Sequence, residues 1–188
     1  LANEYHTVAF DPNTTNSFVI HYSRSSKIWD IAGTVSGSSA TVGTAVNVRT
    51  AAAQGNAPTL AWNPNQAGEF VAVYKDDSSS SASMYWYIGT VSGNTVTQGT
   101  TYLATGLAHD GCGVAWNKGV TDEFAFIYRT HTGGVTNICR GINSSGAISY
   151  GTPTVLDSSN NGFRPNISFD DNVTGSFVWQ YYGKTDTE

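Results

Sequence analysis

Side chains able to serve as nucleophiles, general acids or metal ligands are sparse in this sequence: four histidines, two cysteines and fourteen carboxylates in 188 residues. No G-x-S-x-G elbow, G-x-x-x-x-G-K-[ST] loop or H-E-x-x-H pair organises them. His6, His21, His109 and His131 stand apart from one another. His109-Asp110 with nearby Cys112 is the one nucleophile-like grouping, but neighbours in a loop seldom reach Cys–His geometry. Cys112 and Cys139 lie 27 residues apart with no second pair, which is neither a disulfide framework nor a zinc spacing. Carboxylate pairs for glycoside hydrolysis can meet from distant positions, and no pair stands out. The sequence assigns no catalytic residue, no metal and no cofactor, and the expectation is that the chain is not an enzyme.

Binding chemistry is better represented. The segments expected to connect the strands carry Arg24, Lys27, Arg49, Lys75, Arg129, Arg164 and Lys184, seven of the nine basic residues. Trp29, Trp86 and Phe163 fall among them, and a flat ring beside a cation suits the apolar face and the charge of an acidic sugar. The candidate ligand-binding set is therefore Arg24, Lys27, Trp29, Lys75, Trp86, Arg129, Phe163 and Arg164. A second group of turns is acidic, with Asp11, Glu69, Asp122, Glu123, Asp170 and Asp171. Four of these turns open on Asp or Asn, at Asp11, Asn63, Asn117 and Asp170. Such a side chain accepts a backbone N–H two residues on, so turn chemistry is the first explanation for them. The D-x-[DN]-x-[DN]-G calcium spacing is absent.

Something must position these residues, and the composition says what. Charged residues are only 12% of the chain, hydrophobic residues 39% and aromatic residues 12%, with a net charge of -5. Val, Thr, Tyr, Phe and Trp dominate over helix formers, which reads as all-β. The acidic balance argues against a nucleic-acid partner. No apolar stretch reaches the roughly 18 residues needed to cross a bilayer, so no membrane insertion is expected.

Internal repetition decides the architecture. Thr7-Val8-Ala9-Phe10-Asp11-Pro12 recurs as Thr59-Leu60-Ala61-Trp62-Asn63-Pro64, Gly113-Val114-Ala115-Trp116-Asn117-Lys118 and Asn166-Ile167-Ser168-Phe169-Asp170-Asp171. The aromatic positions 10, 62, 116 and 169 are spaced by 52, 54 and 53 residues. A second strand starts at Phe18, Phe70, Phe124 and Phe177 with the same offsets. A third holds Ile31-Ala32-Gly33-Thr34-Val35-Ser36-Gly37, Tyr87-Ile88-Gly89-Thr90-Val91-Ser92-Gly93 and Cys139-Arg140-Gly141-Ile142-Asn143. A fourth carries Gly43-Thr44, Gly99-Thr100 and Gly151-Thr152. Four short strands, here called A to D, in each repeat predict a β-propeller-like array of four-stranded blades. Blades are placed at 4–55, 56–111 and 112–164, with a partial fourth at 165–188, in one domain expected to belong to a longer chain. The alternative architecture is a β-solenoid or sandwich.

The S-x-D-x-G-x-T-W repeat of sialidase-type propellers is absent, Trp29-Asp30 is a lone WD dipeptide and Gly133-Gly134 is an unrepeated kelch-like doublet, so those families are disfavoured. The pattern V-A-[FW]-[DN]-P, F-V-x-x-Y-[KR], I-G-T-V-S-G and G-T resembles the propeller-like repeats of phage virion surface and tail-fibre proteins. The third unit departs from it at Ile142-Asn143-Ser144-Ser145. The resemblance implies a structural or adhesion module on a virion surface or outside the cell. Its partners would be other virion or surface subunits in a multimeric assembly, and a host surface glycan. Two alternatives remain: a carbohydrate-active enzyme, hydrolase or lyase, on a propeller, and a purely architectural repeat that mediates subunit assembly.

Overall fold

The computed structural model describes residues 5–50, 58–76, 83–105, 108–130, 135–144, 147–158 and 162–183. Within them the chain forms strands and turns only, in four separate antiparallel sheets. The first holds β1 (His6–Phe10), β2 (Ser17–Arg24), β3 (Lys27–Ser36), β4 (Ser39–Val42) and β5 (Val46–Arg49). The second holds β6 (Thr59–Trp62), β7 (Glu69–Asp76), β8 (Ser83–Ser92) and β9 (Thr95–Thr105). The third holds β10 (Ala108–Trp116), β11 (Glu123–Thr130), β12 (Thr136–Ser144), β13 (Ala147–Tyr150) and β14 (Thr154–Asp157). The last is the pair β15 (Gly162–Phe169) and β16 (Phe177–Gly183).

Strands A are β1, β6, β10 and β15, and each starts its own sheet. No described strand pairs with one from another repeat, whereas the coils of a solenoid would pair along the stack. Strand D differs from the expected single strand. In the first and third sheets it breaks at Gly43-Thr44 and Gly151-Thr152-Pro153, so both of its halves pair with strand C. Pro153 cannot donate to a ladder, which favours a break there. Strands β10 and β15 begin earlier than the repeat suggested, at Ala108 and Gly162, through register shifts at Ala108/Cys112 and Phe163/Asn166.

The recurring glycine of strand C is explained by packing. A Cβ on Gly33, Gly89 or Gly141 would lie 2.5, 2.3 or 2.2 Å from a ring carbon of Phe18, Phe70 or Phe124. Each Phe of strand B therefore lies flat over the glycine opposite it. Successive sheets then stack face to face around three apolar cores. Val19, Ile28 and Ala32 meet Leu60, Trp62, Phe70 and Tyr87 between the first two sheets. Val71, Val73 and Trp86 meet Val114, Trp116 and Phe126 between the next two, and Ala125 and Ile127 meet Ile167 at the last junction.

Polar groups fix the stacking angle. The indole of Trp62 donates to the Ala9 carbonyl and that of Trp116 to the Ala61 carbonyl, both at 2.9 Å. The Asx turns form as expected. Asp11, Asn63, Asn117 and Asp170 accept the N–H two residues on at 2.8, 2.9, 3.0 and 2.8 Å. They also tie neighbours: the second Asp11 oxygen accepts Gly68 N–H at 2.8 Å, and Glu69 accepts Asn63 at 2.7 Å and Asn143 at 3.0 Å. Cys112 in β10 and Cys139 in β12 are buried thiols not joined in a disulfide, with β11 between them.

Candidate functional site

The first strands of all four sheets run side by side, and their starting ends enclose a cleft of about 360 Å³. Its walls come from one register column, three to five residues before the recurring aromatic: Tyr5, His6 and Thr7, then Pro58 and Thr59, then Gly111 and Cys112, then Arg164 to Asn166. The two register shifts shape this end. Gly111 has φ +78° and a Cβ there would lie 2.8 Å from the Arg164 Cα, while one on Gly113 would lie 2.7 Å from the Asn166 Cα. Only glycine lets the two backbones approach so closely. Arg164 itself sits in the left-handed region at φ 49°, a conformation that non-glycine residues hold at a cost and that concentrates at functional sites.

Electrostatically this end is simple. Arg164 is exposed and forms no ion pair with a described residue, and the described lining of the cleft holds His6 but no carboxylate. The opposite end of the same strands opens into a larger cleft of about 540 Å³. There Lys118 is committed to Asp171 at 3.4 Å, and the tryptophan indoles are committed to carbonyls. The first end thus offers a cation unpaired among the described residues, with hydroxyl and amide groups around it. The second offers a neutralised pair.

One further polar cluster is chemically suggestive but enclosed. His21 Nδ1 lies 2.7 Å from Asp30, and the Tyr87 hydroxyl of the next sheet donates to the other Asp30 oxygen. All three are fully buried at the first junction. Burial, then the Asp30 carboxylate, raises the Tyr87 phenol well above its ordinary value. An acid–base pair with no solvent access is a strut. The thiols are equally inert: burial pushes Cys112 up to about 12 and Cys139 to about 11.

The eight expected ligand-binding residues do not converge. Arg24 and Lys27 face each other, exposed, across the Ser25-Ser26 hairpin of the first sheet, whose two turn residues have positive φ. Trp29 is half-buried beside its cross-strand neighbour Tyr22. Three assignments are corrected. Lys75 is buried because β10, longer than expected, packs along β7; Arg129 is buried in the same way under β15 along β11. Trp86 is a core residue, fully buried and stacked on Tyr102 at 4.6 Å. The side chains of Phe163, His109, Asp110, His131 and Lys184 lie outside those described. Among the described ones, Arg164 alone reaches the cleft. Tyr5, His6, Thr59 and Asn166 were not singled out by residue type. The available signal was positional: the column before the aromatic varies while the repeat around it does not.

No protein-family model and no curated protein sequence matches the chain. Among solved structures, the chain is similar to the NanB sialidase from Streptococcus pneumoniae, crystallised in complex with 2-[(3-chlorobenzyl)ammonio]ethanesulfonate. The TM-score is 0.62 at 11% identity, over 88% of this chain and 26% of that one. The chain therefore spans about a quarter of the length of that protein. At this identity the likeness concerns the fold, and a propeller-like stacking of four-stranded sheets agrees with it. One expectation is corrected. The expectation of a protein that is not an enzyme rested on the lack of a legible nucleophile–base pair, and a likeness to an enzyme removes that footing.

Proposed function

We propose that the chain is a propeller-like module that engages an anionic carbohydrate in the cleft at the starts of its innermost strands. The observation that carries this reading is Arg164: an exposed guanidinium with no ion pair among the described residues, held in a left-handed backbone at a cleft whose described lining includes no carboxylate. A guanidinium receives a carboxylate through two parallel hydrogen bonds. His6, Thr59 and Asn166 supply donors and acceptors for hydroxyls, and the Tyr5 ring supplies an apolar face. Display on a virion or cell surface beside other subunits fits the repeat pattern, and many copies would raise a weak single-site affinity.

The test is titration calorimetry with a carboxylated oligosaccharide and its neutral analogue, at low and high salt. Binding should favour the charged ligand and weaken with salt. Arg164→Ala should cost about 1.5–3 kcal/mol, roughly ten- to a hundredfold in Kd, while Arg24→Ala should cost little. Equal binding of both sugars, or an unaffected Arg164→Ala, would sink the proposal. The sialidase likeness favours one second reading, cleavage of a glycosidic bond at the same cleft. That requires an acid close by, and Asp110 precedes the lining residue Gly111 in β10. Release of reducing ends from an acidic polysaccharide, lost in Asp110→Asn, would establish it.

A further inference from the structure

Side chains of strand D, at the outer edge of each sheet, line the rim of every internal junction. At the first junction the rim positions are Val46, opposite Asp30, and Gln98, opposite the recurring glycine Gly89. The Gln98 amide donates to the Val48 carbonyl of the first sheet at 3.4 Å and to Thr101 at 2.9 Å, so a polar side chain spans that rim.

The second junction carries aromatic rings at the same two register positions. Tyr102 lies opposite Trp86, and Tyr150 lies opposite the recurring glycine Gly141. Both sheets of this junction hold strands A to D, so its rim stands clear of either end of the chain. Trp86 is fully buried and stacks on Tyr102, with centroids 4.6 Å apart and planes at 20°. Tyr150 stands across both, 5.7 Å from Trp86 at 83° and 6.3 Å from Tyr102 at 65°. Tyr102 is half-buried and Tyr150 is 49% exposed.

This corner keeps its polar groups unspent. Neither phenol makes a side-chain hydrogen bond with a described residue; their contacts there are with rings. The buried indole N–H of Trp86 has no acceptor among the described residues, whereas those of Trp62 and Trp116 each donate to a carbonyl. A buried donor left without a partner costs free energy. Strands β9 and β13, which bear the two tyrosines, hold no charged residue. Rings fixed at an angle, with hydroxyls beside them and no charge on their strands, match an uncharged sugar: its C–H face covers a ring while its hydroxyls meet the phenols. A purely apolar ligand would leave the phenols unmatched, and an ionic one would find no counter-charge on these strands.

We propose that the rim of the second junction is a carbohydrate subsite for an uncharged sugar residue, seated on Tyr150 and Tyr102 with Trp86 as their fixed backing. It is separate from the Arg164 cleft, because strands A and D lie at opposite edges of each sheet. The proposal therefore stands or falls independently of that cleft.

The test titrates three uncharged hexasaccharides, cellohexaose, maltohexaose and chitohexaose, into the isotope-labelled chain, with indole N–H resonances as the readout. At least one sugar should move the Trp86 resonance, recognised by its loss in Trp86→Phe, and leave those of Trp62 and Trp116 in place. Tyr150→Ala should weaken that binding about three- to tenfold, the worth of one stacked ring, and Tyr150→Phe should lose less. Should Tyr150→Ala fail to fold, Tyr150→Leu, which keeps apolar bulk without a ring, carries the same test. Raised salt and Arg164→Ala should leave the affinity unchanged. If none of the three sugars moves the Trp86 resonance, the proposal is overturned. Binding that ignores the loss of the Tyr150 ring, or that disappears in Arg164→Ala, overturns it equally.

Discussion

Replacing Gly89 by Ala tests the packing rule that makes strand C carry a glycine in each of the first three sheets. The added Cβ would lie 2.3, 2.7 and 2.8 Å from three ring carbons of Phe70. Carbon atoms rest at about 3.5–4.0 Å from one another, so ring or strand must move by roughly 1 Å. Neither has room. Phe70 is fully buried, with its ring centroid 5.5 Å from that of Trp62 and 6.2 Å from that of Tyr87. Gly89 is outside the left-handed region, so Ala suits its backbone and gains about 0.4–1 kcal/mol through the unfolded chain. Overpacking costs about 1–3 kcal/mol. The expected net loss is about 1–2 kcal/mol, or a Tm lower by about 2–8 °C for a chain of this size. Calorimetry on Gly89→Ala, Phe70→Leu and the double variant measures it. Leu should relieve the clash, giving a favourable coupling of at least about 0.5 kcal/mol. An unchanged or raised Tm, or strict additivity, would refute the reasoning.

Trp116→Phe should cost about 1 kcal/mol in urea unfolding, the worth of its hydrogen bond to the Ala61 carbonyl. Asp11→Ala should cost about 1.5–3 kcal/mol by the same measurement, since it strands the N–H groups of Asn13 and Gly68; Asp170→Ala, at an exposed turn with one such bond, should cost less. Alkali should destabilise the fold. The Cys112 and Cys139 thiols are neutral when protonated and burial raises both from 9.0, so the unfolded chain ionises first. Stability is then full below the unfolded value and lost as pH rises toward about 12 and about 11. The slope is up to about 1.4 kcal/mol per pH unit for Cys112, and Cys112→Ala should remove that share.

The four-strand repeat and the Asx turns were legible because both are local. A Phe eight residues after the recurring aromatic, or an Asn opening a turn, acts within its own hairpin. The His21–Asp30 pair was legible in principle as well: a turn centred on Ser25-Ser26 places residue 21 opposite residue 30. What the sequence did not reveal depends on the neighbouring sheet. Lys75 and Arg129 sit at the ends of strands B, where solvent exposure is the reasonable expectation. Each is covered because the following strand A starts several residues early, at Ala108 or Gly162, through an irregularity that no residue pattern announced. Trp86 opens no ligand platform for the same reason, its ring being claimed by the third sheet.

That dependence separates scaffold from site. At the internal junctions the recurring positions are consumed: the strand A aromatics Trp62 and Trp116 by a carbonyl and a core, the strand C glycine by a ring, and the turn carboxylates Asp11 and Glu69 by N–H groups of neighbouring sheets. A group bound in this way has little left to offer a ligand, because taking its hydrogen bond would loosen two sheets at once. Chemistry is left to the column where the repeats differ, His6, Pro58, Cys112 and Pro165 with their neighbours, and that column lines the cleft. Of its members Arg164 combines charge, exposure and a strained backbone. A scaffold that needed only to stack would gain by replacing it with glycine, since glycine relieves a left-handed φ without loss of packing. Arg164→Gly should therefore raise Tm while removing the binding of an anionic sugar; a fall in both would show that the guanidinium serves the fold.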